Sequence, residues 1–367
     1  MIVHCSKNQS SESFVVNLAD TLNIPMSDWF SSIEIIPLET LESSLLSECT
    51  QIEYYHQRYY IYDRRQQAVF VFDTTGKFLF NTLSSKGRGP KQYITNMGIA
   101  INRVTGNLEI LDGFARTIRI FDKDGSFVKD FGFPEDILPI DEFQSLSIEH
   151  YLFYSKSSEE NRESIYVYDA NQQKVVKKML MTNSYEDYFV STASNAFYWI
   201  DSTLRFSHTY ANNDVYRIDK NLDMRKLYSY DFGRKTFDVK TLPKDEDPAF
   251  YRFYDRNNKG KYVFPYIKFE SNRYYFCFFS FKDLLYVSRH HKQQGTERMK
   301  NEVIYSRFSD GGMIFPPIVF DKYYLYNVIE PLWIPHMMNP LFTDQQKEIL
   351  NAIPDDSNPI ILKYKFK

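Results

Sequence analysis

Two stretches of this chain repeat each other at a fixed distance. Tyr59 to Phe80 reads YYIYDRRQQAVFVFDTTGKFLF, and Leu108 to Lys129 reads LEILDGFARTIRIFDKDGSFVK. A shift of 49 residues carries Asp63 onto Asp112, Asp73 onto Asp122 and Gly76 onto Gly125. Fainter copies continue the series: Ser164 to Asp169 lies 47 residues after the second unit, and Asp214 to Asp219 another 50. Each unit holds short alternating strands. The last two are joined by a tight turn of Asp-x-x-Gly or Asp-Ala-Asn type, residues that supply positive φ or side-chain turn bonds. About four strands in roughly 40 to 50 residues is the signature of a propeller blade.

The expected fold is therefore all-β: a six-bladed β-propeller with four-stranded antiparallel blades. Strand sets are expected to begin near Gln51, Gly98, Phe143, Ser191, Pro265 and Met313. Two stretches interrupt the later units and are read as insertions on one face, near residues 234–261 and 336–358. The second contains Thr343-Asp344-Gln345-Gln346, a helix-start capping box. A ring of blades must seal its ends or leave sheet edges exposed. Ile360 to Phe366 has no strand after it, and Ser32 to Leu38 precedes the first complete unit. The early strand is expected to complete the last blade. Residues 29–367 then form a single propeller, with residues 1–28 a flexible N-terminal tether.

Composition agrees with such a fold. The aromatic share of 17%, mostly 29 Tyr and 31 Phe, suits half-buried pleated surfaces packed between sheets. A net charge of -3 supplies no positive field to gather nucleic acid or anionic membrane, so no nucleic-acid partner is expected. Three cysteines without a C-x-x-C pair exclude a disulfide framework and zinc-ligand spacing, and Cys277, inside an aromatic run, reads as a buried structural thiol.

The first residues, Met1-Ile2-Val3-His4-Cys5 and then the polar tract Ser6 to Ser13, resemble the cleavage end of a bacterial lipoprotein signal whose basic and long apolar parts are missing. Two readings stand. Either the start lies too far downstream and Cys5 is the lipidated residue, placing the protein in the periplasm or at the outer membrane, or the chain is cytoplasmic with a disordered start.

Gly87-Arg88-Gly89-Pro90-Lys91-Gln92-Tyr93, Gly98-Ile99-Ala100, Leu111-Asp112 and Ile120-Phe121-Asp122-Lys123-Asp124-Gly125 together resemble an NHL-type repeat. More closely they resemble the six-bladed propeller proteins, lipoprotein-like at their N-termini, that abound in Bacteroides-like bacteria. Leu38-Glu39-Thr40 and Asn358-Pro359-Ile360-Ile361 match that family's opening and closing strands, so the resemblance spans almost the whole chain. It implies export as a lipoprotein and leaves activity unspecified. Gln92 stands where the family usually has Glu, which argues against an acid role at that position.

Chemistry is harder to find. The glycine loop lacks the third glycine and the following helix of a dinucleotide fingerprint, and no Gly-Lys is followed by Ser or Thr as a phosphate loop requires. Seven histidines show no metal-ligand spacing, and neither a cofactor nor a metal is expected. Asp63 and Asp112 recur with their blades, which argues for turn bonds rather than a unique active site. The basic side chains around these features, Arg64, Arg116, Arg88 and Lys91, are the candidate ligand-binding residues. The expected protein is a monomeric, non-catalytic binding or scaffold propeller that recognises a protein or glycan on its loop face and touches a membrane only through a lipid at Cys5. The rival is a propeller hydrolase or lyase acting on a saccharide or lactone at the axial channel mouth.

Overall fold

The computed structural model describes residues 11–137, 139–155, 163–181, 196–208, 212–237, 260–292, 301–337 and 339–367. Its strands form six sheets, each built on four antiparallel strands, and the chain is a six-bladed β-propeller. Their innermost strands are Cys49–Tyr55, Ile99–Ile101, Glu142–Ser145, Phe197–Ile200, Phe264–Glu270 and Val319–Phe320, defining blades 1 to 6 in that order. The fourth strand of blade 6 is Phe30–Pro37, which pairs antiparallel with Ile360–Phe366 and sets Ile36 opposite Ile361.

The repeated aspartates explain why the units look alike. Asp73, Asp122, Asp169 and Asp219 end the third strands of blades 1 to 4, and each presents one carboxylate oxygen to backbone N–H groups of the turn that follows. Such a bond fixes the hairpin and hence the register of the outer strand. Gly76 takes φ +85° in the first of these turns, where a Cβ would run into the Pro37 carbonyl; in blade 4 Leu222 accepts the same left-handed conformation at φ 64°.

Asp63 and Asp112 do a different job at the opposite end of the blades. Asp63 accepts from the amides of Ser47 and Glu48 in the segment entering blade 1 and from Gln66 in its own hairpin. Asp112 does the same with Ile94, Thr95 and Ala115. Both carboxylates are fully buried, and each ties an inter-blade crossover to a turn.

Polar side chains also stitch the inner strands together. Gln51 in blade 1 exchanges two hydrogen bonds with Ile99 of blade 2, at 2.7 and 3.0 Å, and the Glu142 carboxylate of blade 3 accepts from the amides of Ala196 and Phe197 in blade 4. Buried aromatics fill the space between sheets, with Tyr59, Tyr93, Tyr151, Tyr168 and Phe276 among them. Cys277 is buried in that packing, and desolvation pushes its thiol up to about 12.

The N-terminus departs from the sequence expectation. Residues 12–28, read as part of a flexible tether, are a structured strap: Glu12–Val15 adds a parallel fifth strand to Met224–Asp231 of blade 4, and Thr21–Leu22 does so on Asn301–Tyr305 of blade 5. Met26 at its end and Trp29 just after it are fully buried. The physical reason is edge pairing. Outer strands expose unpaired amides and carbonyls, and a neighbouring extended segment satisfies them. Cys5 lies outside the described residues, as do 238–259 of the first expected insertion. In the second insertion, Thr343 caps the helix Asp344–Asn351 with Gln346 completing the box.

Candidate axial binding site

Inner strands run toward the turn that joins them to the second strand of the blade, so those turns and the third-to-fourth-strand turns share one end of the ring. The crossovers and second-to-third-strand turns share the other. At the first end the channel opens into a cavity of about 330 Å³, walled by blades 1, 2, 3, 4 and 6. Blade 1 contributes Glu53, Tyr54, Tyr55 and His56, where His56 and Gln57 take φ 45° and 62° in the two-residue turn that carries Tyr55 to the rim. Blade 2 contributes Arg103, just past its short inner strand, and blade 3 Gln144. Blade 4 brings Phe197, Tyr198, Trp199 and Asp201, and blade 6 brings Phe320 and Asp321.

Charge in this cavity is held in fixed pairs. Arg103 Nη2 lies 3.5 Å from Glu53 Oε2, Nη1 donates to the Tyr54 carbonyl at 3.3 Å, and the guanidinium sits over the Tyr55 ring at 4.7 Å. Burial raises the Glu53 carboxyl above its ordinary value, with Arg103 opposing the rise, and burial lowers Arg103 in turn. At the rim Lys322 pairs with Asp201, while Asp321 accepts from the Tyr326 hydroxyl at 2.8 Å.

Two donors in the wall have no hydrogen-bond partner among the described residues: the indole Nε1 of Trp199 and the Nε of Arg103. A buried donor left unpaired costs roughly 1–3 kcal/mol, and both atoms lie beneath the cavity surface rather than on it. Rings and fixed ion pairs make a surface that can stack on a ligand face and bond its oxygens. Among the described residues no group of three His, Cys, Asp or Glu side chains has metal-ligand geometry.

The residues singled out by sequence lie at the other end. Arg64 is exposed in the second-to-third-strand turn of blade 1 and pairs with Glu48; Arg116 occupies the same turn of blade 2 and pairs with Glu135 at 2.6 Å. Arg88 and Lys91 are exposed on the crossover from blade 1 to blade 2. That crossover closes on itself: Gly87 N donates to the Tyr93 carbonyl, Gln92 Oε1 accepts from Gly89 N at 2.9 Å, and Gln92 Nε2 donates to the Ser84 carbonyl at 3.2 Å. A Cβ on either glycine would press on the Gln92 amide. The loop thus uses its glycines to seat Gln92, and the structure brings none of these four basic residues into the cavity.

Sequence reasoning missed Glu53, Arg103 and Trp199. One signal was available: the shift of 49 maps Tyr54 onto Arg103, at matching ends of successive inner strands.

Similarity to known proteins gives the frame but no chemistry. The family described as “Domain of unknown function (DUF4934)” matches residues 13–365. A “Putative exported protein” from Bacteroides fragilis NCTC 9343 aligns over 98% of this chain and 100% of its own, with TM-score 0.72 and 17% identity, a likeness of fold. A member of the duf4221 family from Bacteroides vulgatus ATCC 8482 aligns over 92% and 98% of the two chains at TM-score 0.49 and 9% identity. No curated protein matches the sequence. No described helix is long and apolar enough to cross a membrane.

Proposed function

Since the chain belongs to the family of the domain of unknown function DUF4934, its activity has to be read from its own cavity, and we propose that it is a cell-envelope binding propeller that takes a glycan at the axial mouth. The observation that carries this reading is the aromatic surface of Tyr54, Tyr55, Phe197, Tyr198 and Trp199 gathered beside the Arg103–Glu53 pair in one walled cavity. Sugar rings offer apolar C–H faces for stacking and hydroxyl and ether oxygens for N–H donors. The internal pairing of Arg103 with Glu53 and of Lys322 with Asp201 leaves little net charge to select an anion, which favours a neutral saccharide. An envelope location, with the chain tethered through Cys5, is supported by the resemblance of its first residues to a lipoprotein cleavage site and by the likeness to an exported Bacteroides protein.

Calorimetric titration of the full chain against a panel of neutral and acidic oligosaccharides tests the reading. Binding of a neutral member that Trp199→Ala weakens about tenfold or more supports it. Binding that Trp199→Ala leaves intact places the ligand elsewhere.

One observation favours the catalytic alternative, a hydrolase or lyase acting on a saccharide or lactone. Glu53 is a carboxyl in the cavity whose hold on its proton is strengthened by burial, as a general acid requires. Product analysis with the wild type and Glu53→Gln separates the two: a binder forms no product in either form, and an enzyme forms product that Glu53→Gln abolishes.

A further inference from the structure

The N-terminal strap is seated as a peptide ligand is seated. Its backbone adds in parallel to the outer strand of blade 4, in the register Glu12 to Tyr228 through Val15 to Asp231, and Val16 N extends the ladder to the Asp231 carbonyl at 2.8 Å. Side chains alternate: Phe14 and Val16 point inward and are buried, while Glu12 and Ser13 are exposed and Val15 is 62% exposed. Main-chain addition to a sheet edge with alternate residues in pockets is a general mode of peptide recognition.

The Phe14 pocket is built from both blades 4 and 5. The ring lies 5.4 and 5.6 Å from Tyr228 and Tyr230, and 4.8 Å from both Tyr275 and His290, on which it stacks. Two polar atoms of that wall have no hydrogen-bond partner among the described residues: the Tyr230 hydroxyl and His290 Nε2. Tyr230 and His290 are almost completely buried, and phenylalanine offers them nothing. A buried pocket with a donor and an acceptor to spare is matched better by a phenol than by a phenyl ring. The foothold of residues 12–16 on blade 4 is also small, four paired residues and two buried side chains, which places this end of the strap among the elements expected to open before the ring does.

We propose that the groove between blades 4 and 5 is a strand-addition site for an extended segment of a protein partner, carrying tyrosine where the chain carries Phe14 and an aliphatic residue two positions on. Residues 12–16 are its resident occupant, held in place until a better one competes. This site is separate from the axial cavity and does not depend on what the cavity binds.

Fluorescent peptides test it. The chain's own Ser-Glu-Ser-Phe-Val-Val-Asn and its counterpart with tyrosine at the fourth position are titrated into the full chain carrying Phe14→Asp, which empties the pocket. The tyrosine peptide is expected to bind about tenfold more tightly than the phenylalanine peptide, the worth of one recovered hydrogen bond. The wild-type chain, whose groove is filled, is expected to bind both more weakly. Failure of either peptide to bind Phe14→Asp, or equal binding of the two, overturns the proposal. Should Phe14→Asp not fold, Phe14→Tyr in the full chain gives the decision: a raised melting temperature supports the phenol-matched pocket and a lowered one overturns it. A concentration-dependent dimer of the wild type, abolished in Phe14→Asp, would make a second copy the occupant and overturn the assignment to a foreign partner.

Discussion

Glu53 and Arg103 belong to neighbouring blades and meet at the axial mouth, with Oε2 and Nη2 3.5 Å apart and the guanidinium lying over Tyr55. Neither side chain is fixed by its own blade alone, so the cavity exists only when blades 1 and 2 are docked in register. Ring cohesion therefore sets site geometry.

Pairing of Phe30–Pro37 with Ile360–Phe366 joins residues more than 300 apart in sequence, with Ile36 and Ile361 almost completely buried. If this pairing carries the cohesion of the ring, removing the residues before Leu38 abolishes the cooperative melting transition rather than shifting it. Calorimetry of the truncated chain is the check, and unchanged melting would refute the dependence.

Asp63 and Asp112 each hold a crossover to a hairpin from a fully buried position. Asp63→Ala removes the acceptor for the Glu48 and Gln66 amides together and is expected to cost about 2–4 kcal/mol, from donors left unpaired in a buried site. Asp63→Asn keeps one acceptor oxygen and costs less. Urea denaturation of the two variants should show that order; equal losses would mean that the carboxylate acts through something other than these bonds.

Glu109 lies buried between blades 2 and 3, where its Oε1 accepts from Asn102 Nδ2 at 3.1 Å and from the Tyr151 hydroxyl at 2.9 Å. Burial pushes its carboxyl from 4.5 up to about 7, against the lowering effect of these bonds. The folded chain then keeps a proton that the unfolded chain has already released. The stability that Glu109 contributes is full below about pH 4.5, declines as pH rises through that window and levels off above pH 7, a loss of roughly 3 kcal/mol at about 1.4 kcal/mol per unit. Melting curves of Glu109→Gln should lack this decline, and an unchanged pH profile would exclude Glu109 as its source.

The sequence carried the ring because turn chemistry repeats. Asp73, Asp122, Asp169 and Asp219 must each bond the same turn amides, so their letters survive at a nearly constant period while the strands between them drift. The mouth of the channel repeats nothing. Glu53, Arg103 and Trp199 come from three blades, hold three different jobs, and meet only once the ring is formed. Basic residues at Arg64, Arg88, Lys91 and Arg116 drew attention because they flank the conserved-looking turns of the repeat, yet those turns face the opposite end. The strap was hidden for another reason. Its alternation spans only Phe14 and Val16 within a polar tract, too short a run to be told from a tether.

The central claim is that ligand enters the axial mouth, and a crystal structure of the full chain soaked with the tightest-binding neutral oligosaccharide tests it most directly. The account predicts density for a sugar ring stacked on the aromatic wall of the cavity that Trp199 and Tyr55 help to form, and nothing beside Arg88, Lys91, Arg64 or Arg116. Sugar density on that opposite face, with the cavity empty, would contradict it.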